Sequence, residues 1–132
     1  MVAFLSQDWL DLQRLAVADL ALDPGSAAAA AVIQTTVTGA PGGAVTYTTT
    51  IEHDRLVAAA LGETSGQPDL TFSLPYADAV RLARGEIELS TLFMQGVLKV
   101  EGDMRKLFAL LAGDHRPETR ALVADVAAQI EF

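Results

Sequence analysis

Apolar residues recur along the chain with two different spacings, which separate predicted helices from predicted strands. Residues from Gln7 to Leu22 have apolar positions three and four apart, and the pattern ends at Asp-Pro-Gly, so we predict a helix there. Valine, isoleucine and threonine then dominate, which predicts strands over residues 30–38, 44–52 and 55–62. Short turns separate these strands, so we expect an antiparallel meander.

The second half of the chain mixes strands and helices. Residues 70–74 and 97–101 alternate between apolar and polar positions and predict a fourth and a fifth strand. Pro75 suits the first turn of a helix that ends at Gly85, and a short helix is predicted over residues 86–95. With two more helices after the fifth strand, this order predicts an α+β fold, in which helices cover one face of a mostly antiparallel sheet.

The last two predicted helices each carry one apolar stripe. Asp103 caps the first of them, and its stripe consists of Met104, Leu107, Phe108 and Leu111. The second begins at Pro117, and its stripe consists of Leu122, Val123, Val126, Ala127 and Ile130. The sequence leaves open whether this second stripe covers an internal site or forms a contact between two copies of the chain.

Length and composition favour one domain over residues 1–132. The chain has no cysteine, which excludes disulfides and thiolate chemistry and suits a cytoplasmic protein. No apolar stretch approaches the roughly 18 residues of a membrane span, so we expect no stable membrane insertion. The N-terminal segment has no basic residues and does not resemble a secretory signal.

The chain is acidic, with a formal net charge of −8. Residues 1–80 contain nine acidic and two basic residues, whereas residues 81–132 contain eight and seven. Such a protein repels phosphate backbones, so nucleic acid is not an expected partner. The simplest interpretation of the uneven distribution is a solvated surface, although the near-neutral half is the better candidate for contact with an acidic partner.

No motif predicts catalysis, a metal or a cofactor. His53 and His115 lie in separate predicted turns and share no ligand spacing, so both are expected to be solvated. The segment Gly62–Gly66 is not a nucleophile elbow because its serine is displaced by one position. Catalytic residues can converge from distant segments, but the sequence offers no motif for an enzyme.

Four consecutive features are similar to the signature half of the sterol carrier protein 2 family. These are the strand start Asp69–Thr71, the helix Tyr76–Gly85, the segment Phe93–Asp103 (FMQGVLKVEGD) and the apolar helix Met104–Leu111. The resemblance extends over residues 45–112, and the segment Phe93–Asp103 is its most specific part. The tryptophan that the family often has in a middle strand is absent here, and residues 1–25 and 115–132 do not match, which leaves the ligand class open.

The resemblance implies a five-stranded sheet with about five helices on one face and an apolar tunnel between the layers. It also implies non-catalytic binding of sterols, fatty acids, fatty acyl-CoA or similar lipids. Gln95 and Gly96 would lie at the inner end of the tunnel, where Gln95 offers a hydrogen bond to the ligand. The lipid-binding residues so implied are Phe72, Leu89, Leu92, Phe93, Met94, Gln95, Leu98, Val100, Met104, Leu107, Phe108 and Leu111.

Periodicity alone would instead let the apolar members of this set fill an ordinary core, with Gln95 solvated or capping a chain end. Two other functions also stay open at this point. One is an accessory or scaffolding subunit that presents an apolar substrate to a partner enzyme. The other is a small enzyme that acts on an apolar substrate.

Overall fold

The computed structural model of the chain describes residues 2–17, 30–52, 55–64, 66–114 and 117–131. The described strands are β1 (Val2–Ala3), β2 (Ala30–Thr38), β3 (Val45–Glu52), β4 (Arg55–Leu61), β5 (Leu70–Pro75), β6 (Lys99–Gly102) and β7 (Ile130–Glu131). The described helices are α1 (Gln7–Val17), α2 (Tyr76–Ala83), α3 (Leu89–Met94), α4 (Met104–Asp114) and α5 (Pro117–Ala127).

Five of these strands form one sheet in the order β4-β3-β2-β5-β6. Strands β2, β3 and β4 pair antiparallel, as the predicted meander requires, and β5 pairs antiparallel with β6. The pairing of β2 with β5 is parallel, because the chain returns to the centre of the sheet after β4. The predicted α+β fold with a five-stranded, mostly antiparallel sheet is therefore confirmed.

The two faces of this sheet differ in polarity because side chains alternate along each strand. On β2, Ala31, Ile33 and Val37 are buried on the inner face, and Thr35 is the buried polar side chain among the described residues. The outer face carries a row of threonines, and the Oγ1 atoms of Thr36 and Thr46 lie 3.1 Å apart. The inner face is therefore the one that packs against the helices.

All five described helices contribute a buried residue to the core on the inner face, and that of α2 is Ala79. Leu10 of α1, Leu92 of α3 and Leu107 of α4 are fully buried, and Val126 of α5 is nearly so. Helix α1 packs mainly on β4, at one edge of the sheet. Burying such leucine side chains stabilises the fold by about 1.5–3 kcal/mol each.

The side chain of Gln7 binds the backbone of edge strand β4. Its Nε2 donates to the carbonyl oxygen of Ala59 at 2.9 Å, and the N–H of Leu61 donates to its Oε1 at 3.1 Å. Nε2 is also 3.1 Å from Oδ1 of Asp11, one turn further along α1. These bonds fix the N-terminal end of α1 to the sheet.

Most predicted boundaries lie within two or three residues of the observed ones, and two of these shifts change the element to which a residue belongs. Pro75 was predicted inside a helix but ends β5 and forms the N-cap of α2 with ψ 151°. The fifth strand begins at Lys99 rather than at residue 97. Residues 18–22 of the first predicted helix lie outside the described residues.

The prediction for the C-terminal stripe is wrong at Ile130. Helix α5 ends at Ala127, and Ile130 is buried in β7, which pairs in parallel with β1. The N–H of Val2 donates to the carbonyl oxygen of Gln129 at 2.9 Å, and the N–H of Phe4 to that of Glu131 at 3.0 Å. Because the chain leaves the helix after Ala127, the carbonyl oxygens of Gln129 and Glu131 can accept hydrogen bonds from the backbone of Val2 and Phe4. A continued helix would leave these backbone groups unpaired.

Candidate functional site

The segment Phe93–Asp103 joins helix α3, strand β6 and helix α4. Gly96 has φ +74°, its N–H donates to the carbonyl oxygen of Phe93 at 3.1 Å, and that of Val97 donates to Leu92 at 3.0 Å. This hydrogen-bond pattern is a Schellman motif, which requires a left-handed residue and therefore favours glycine. Gly96 thus ends α3 and turns the chain toward β6.

The second glycine of the segment allows a close backbone approach. Gly102 has φ +122°, and a Cβ atom built on it would overlap the carbonyl oxygen of Asp69 and lie 3.0 Å from Cα of Leu70. Asp103 follows, and its N–H donates to the same Asp69 carbonyl at 3.0 Å. The Asp103 carboxylate accepts from the N–H of Arg105 at 3.0 Å, which makes it the predicted N-cap of α4.

Asp69 connects this segment to the centre of the sheet. Its Oδ2 accepts from the N–H of Val32 at 2.8 Å, its own N–H donates to the Val32 carbonyl at 2.8 Å, and its Oδ1 is 3.2 Å from Nζ of Lys106. The bond from Val32 is the main reason that the pKa of Asp69 is lowered; burial opposes this effect and Lys106 adds to it. Asp69, Gly102 and Asp103 therefore hold β2, β5, β6 and α4 together.

The structure divides the twelve predicted lipid-binding residues into three groups by exposure. Four are buried in the core: Phe72, Leu92, Leu98 and Leu107. Four are partly buried against it: Leu89, Phe93, Val100 and Leu111. Four are exposed: Met94, Gln95, Met104 and Phe108. Their role toward a ligand stays a prediction; among the elements that carry them, α3 contacts α4 and β5 pairs with β6.

Three large apolar side chains are exposed on α3 and α4, and we call them the α3–α4 patch: Met94, Met104 and Phe108. Met94 is 84% exposed and Phe108 59% exposed. The ring of Phe108 lies edge-on to that of partly buried Phe93, with centroids 6.4 Å apart and planes at 81°. This ring contact connects the exposed Phe108 to the core, and contiguous exposed apolar groups mark interaction surfaces.

Gln95 lies at the predicted junction of helix and strand, as the C-cap of α3. Its backbone N–H donates to the carbonyl oxygen of Thr91 at 3.0 Å, and the residue is exposed. The side-chain amide is therefore close to solvent, beside Met94, and not enclosed by the core.

A second polar group lies deeper, in an aromatic cluster formed by Phe4, Trp9, Tyr47 and Tyr76. Trp9 is 3% exposed, and its ring is edge-on to Phe4 at 4.9 Å and to Tyr47 at 5.4 Å between centroids. Its Nε1 is buried without a hydrogen-bond partner among the described residues. Leaving such a donor unpaired costs about 1–3 kcal/mol.

Tyr47 lies opposite Thr35 on the inner face of the sheet. Burial raises the pKa of Tyr47 to about 12, while an interaction with the Thr35 side chain acts in the lowering direction. A phenol with this pKa is uncharged near neutral pH, and its surroundings disfavour a negative charge.

Trp9 and Tyr47 are not among the site residues predicted from the sequence. One signal was available: each is an aromatic residue with a polar atom at an inward position of its element. Their contact depends on the packing of α1 against the sheet, which periodicity does not give.

The described part of the chain contains no histidine and no candidate metal site. His53 and His115 lie outside the described residues. Among the described side chains, no group of three or more histidine, cysteine, aspartate or glutamate residues is arranged to hold a metal ion. None of the described helices has the length and apolar content needed to cross a bilayer.

Comparison with known proteins gives one family and a set of similar folds. The model of the SCP-2 sterol transfer family matches residues 11–112. No curated protein matches the sequence.

The solved structures with this fold have low sequence identity to the chain. The solution structure of a conserved hypothetical protein from Thermus thermophilus, suggested to be a sterol carrier protein, has a TM-score of 0.71 at 15% identity, covering 93% of this chain and 89% of that one. A crystal structure of sterol carrier protein 2 has a TM-score of 0.68 at 16% identity, covering 97% and 99%. Palmitated SCP2L2 from Aedes aegypti has a TM-score of 0.64 at 16% identity, covering 84% and 96%.

One similar structure belongs to a larger enzyme. A double mutant of the sec-alkyl sulfatase PisA1 has a TM-score of 0.55 at 20% identity, covering 83% of this chain but 16% of the sulfatase. At these identities the likenesses establish the fold.

Proposed function

The chain belongs to the SCP-2 sterol transfer family, and on that premise we propose that it binds and transfers apolar lipids. The observation that carries the proposal is the family match over residues 11–112, which includes the whole segment Phe93–Asp103. The similar Aedes aegypti protein was solved in a palmitated form, which supports a ligand with a long hydrocarbon chain. Sterols, fatty acids and fatty acyl-CoA are the candidate ligands.

We place the ligand in an apolar tunnel between the inner face of the sheet and helices α3 and α4. An empty pocket of roughly 300 Å³ would destabilise the fold by about 7 kcal/mol, because each Å³ of cavity costs about 24 cal/mol. That is comparable to the whole stability of a typical domain. We therefore expect the tunnel to be filled by lipid, or partly collapsed when lipid is absent.

The binding energy in this proposal comes from hydrocarbon burial. A chain of about 16 carbons gains roughly 12 kcal/mol at about 0.8 kcal/mol per CH₂ group. Association costs of about 4–15 kcal/mol offset much of this gain. Affinity then depends more on chain length than on head group, and we expect several lipid classes to bind.

The α3–α4 patch is the proposed route for exchange. Phe108 and Met94 are exposed, and the ring contact between Phe93 and Phe108 connects the patch to the interior. Separation of α3 and α4 at this contact would open a path that is apolar along its length. The protein needs no catalytic group for such passive exchange.

Lipid extraction tests the binding proposal directly. Protein purified without detergent is extracted with organic solvent, the lipids are identified by mass spectrometry, and native mass spectrometry gives their stoichiometry. We expect about one lipid per chain. An extract without lipid, together with no uptake of a fluorescent fatty acid by the folded protein, would refute the proposal.

Two substitutions locate the ligand. Phe93→Asp and Leu98→Asp place a charge among the proposed lining residues and should abolish lipid uptake. Lys99→Asp is the matched control, because it introduces an aspartate at the exposed position next to Leu98 and should leave uptake unchanged. Normal uptake by folded Phe93→Asp or Leu98→Asp protein would show that these residues only fill the core.

A second function is an accessory subunit that presents an apolar substrate to a partner enzyme. The sulfatase with a similar fold over 16% of its length favours this candidate, because it places such a fold inside a larger enzyme. Affinity capture of the whole chain should then recover one enzyme in stoichiometric amount. Recovery of lipid without such an enzyme favours the first proposal.

A further inference from the structure

The indole N–H of Trp9 is a buried polar group that no described residue satisfies. Trp9 is 3% exposed, and its Nε1 has no hydrogen-bond partner among the described residues. An indole N–H can only donate, so a partner must supply an acceptor atom. Folded proteins pair nearly all buried polar groups, and an unpaired one calls for a bound partner or another physical explanation.

The surroundings of this N–H define which acceptors suit it. The rings that contact Trp9 belong to Phe4 and Tyr47, and Phe4 also lies 6.0 Å from the ring of Tyr76. None of these side chains is a cation that could pair with an anion. The neighbouring Asp8 is exposed on α1, and Asp11 is bound by Gln7, so both carboxylates have solvent or polar contacts.

An ionised ligand head is poorly suited to this cluster. An anion buried here would lose its hydration, and these aromatic side chains supply no positive charge to replace it. The raised pKa of Tyr47 reflects the same preference, since burial there favours the neutral phenol. A carbonyl, ester or hydroxyl oxygen accepts a hydrogen bond without carrying a net charge.

We propose that Trp9 Nε1–H donates a hydrogen bond to an uncharged oxygen at one end of the bound lipid, so that the protein selects neutral oxygenated lipids. This inference rests on the proposed lipid-binding function and names the ligand class within it. In this proposal the oxygenated end of the lipid lies at α1 and β3, and its hydrocarbon chain extends along the inner face of the sheet toward α3 and α4. Head-group selection is thereby assigned to Trp9 and not to the exposed amide of Gln95. Ionised fatty acids and plain alkanes are then weaker ligands than esters or long-chain ketones.

Three ligands of similar chain length test this selection: methyl palmitate, hexadecane and palmitate at pH 8. They are delivered to the whole protein from cyclodextrin, and the dissociation constants are measured by calorimetry. One hydrogen bond should make the ester about fivefold tighter than the alkane. Palmitate, which is ionised at this pH, should bind more weakly than the ester.

The single tryptophan gives a direct spectroscopic signal. Its indole ¹⁵N–¹H resonance should move downfield when methyl palmitate binds, and should move much less with hexadecane. Trp9→Phe keeps an aromatic ring and removes the donor. In this variant the dissociation constants of hexadecane and methyl palmitate should therefore be about equal. Tyr76→Phe, which removes a hydroxyl from the same cluster, should keep that preference.

The possible failures are distinguishable. If none of the three ligands binds, the proposed function is refuted and this inference falls with it. If the ligands bind but hexadecane and the ester have equal dissociation constants, lipid binding stands and the role of Trp9 is refuted. The same holds if Trp9→Phe keeps the preference for the ester. In either case the N–H would be satisfied by the face of an aromatic ring. Tighter binding of palmitate than of the ester overturns the preference for uncharged heads. If Trp9→Phe does not fold, the wild-type indole resonance decides.

Discussion

Gly102→Ala tests whether the glycine of the signature segment is required by its contact with Asp69. Alanine at φ +122° adopts a sparsely populated conformation, which costs about 1–3 kcal/mol. Its Cβ would also overlap the Asp69 carbonyl oxygen and lie 3.0 Å from Cα of Leu70, and both of these atoms are backbone. Relieving this overlap requires β5 and β6 to separate, and overpacking of this kind costs about 1–3 kcal/mol more.

The expected loss is about 2–6 kcal/mol out of a domain stability of about 5–15 kcal/mol. Gly43→Ala is the matched control, because Gly43 has φ +114° and nothing lies within 4 Å of the position that a Cβ would take there, so it isolates the conformational term. Urea denaturation followed by Trp9 fluorescence gives the free energy of unfolding of each variant. Equal losses in the two variants would refute the role of the Asp69 contact.

Further predictions concern pH dependence, head-group selection and the exposed patch. Because the folded-state pKa of Tyr47 is raised to about 12, the neutral phenol stabilises the fold below pH 10, and this stabilisation should be lost between pH 10 and about 12. Tyr47→Phe should lack this loss of stability at alkaline pH, as measured by circular dichroism. Because the pKa of Asp69 is lowered, its carboxylate should stabilise the fold at neutral pH, and this stabilisation should be lost as the pH falls below about 3.8. The difference in free energy of unfolding between wild type and Asp69→Asn should therefore become smaller at low pH. A difference that does not change with pH would contradict this role of Asp69. Because Gln95 is exposed, Gln95→Leu should leave both the preference among head groups and the affinity for the hydrocarbon chain nearly intact, and a changed preference would contradict the assignment of head-group selection to Trp9. Phe108→Ser should lower the free energy of unfolding by about 1 kcal/mol, because it removes a largely exposed ring together with its edge-on contact with Phe93, and it should slow lipid transfer between vesicles.

The sheet and most helices could be predicted because their periodicity is local. Strand β3 alternates between apolar residues and threonine, and its inward positions are indeed the ones that pack on the core. The pair β1–β7 could not be predicted, since two-residue strands carry no period and their partners are at opposite ends of the chain. Ile130 was misplaced for this reason: a spacing of four from Val126 fits a helix equally well.

The candidate site was less predictable than the fold. The stripe of α4 was predicted to face inward, but only Leu107 is fully buried, while Met104 and Phe108 are exposed. Periodicity identifies the apolar side of a helix and cannot tell how much of it the rest of the protein covers. Likewise, the surroundings of the unpaired N–H of Trp9 depend on the packing of α1 against β3, which is distant in sequence.

The amide of Gln7 has a consequence for the behaviour of the protein in concentrated solution. An outer strand exposes backbone groups onto which another chain can add, which is a common origin of fibrils. The carbonyl oxygen of Ala59 and the N–H of Leu61 are the two groups that one residue of an added parallel strand would bond, and Gln7 already occupies both. At the opposite border, β6 is four residues long and carries Lys99 and Glu101. Gln7 therefore blocks edge-to-edge addition of another strand at this point of β4.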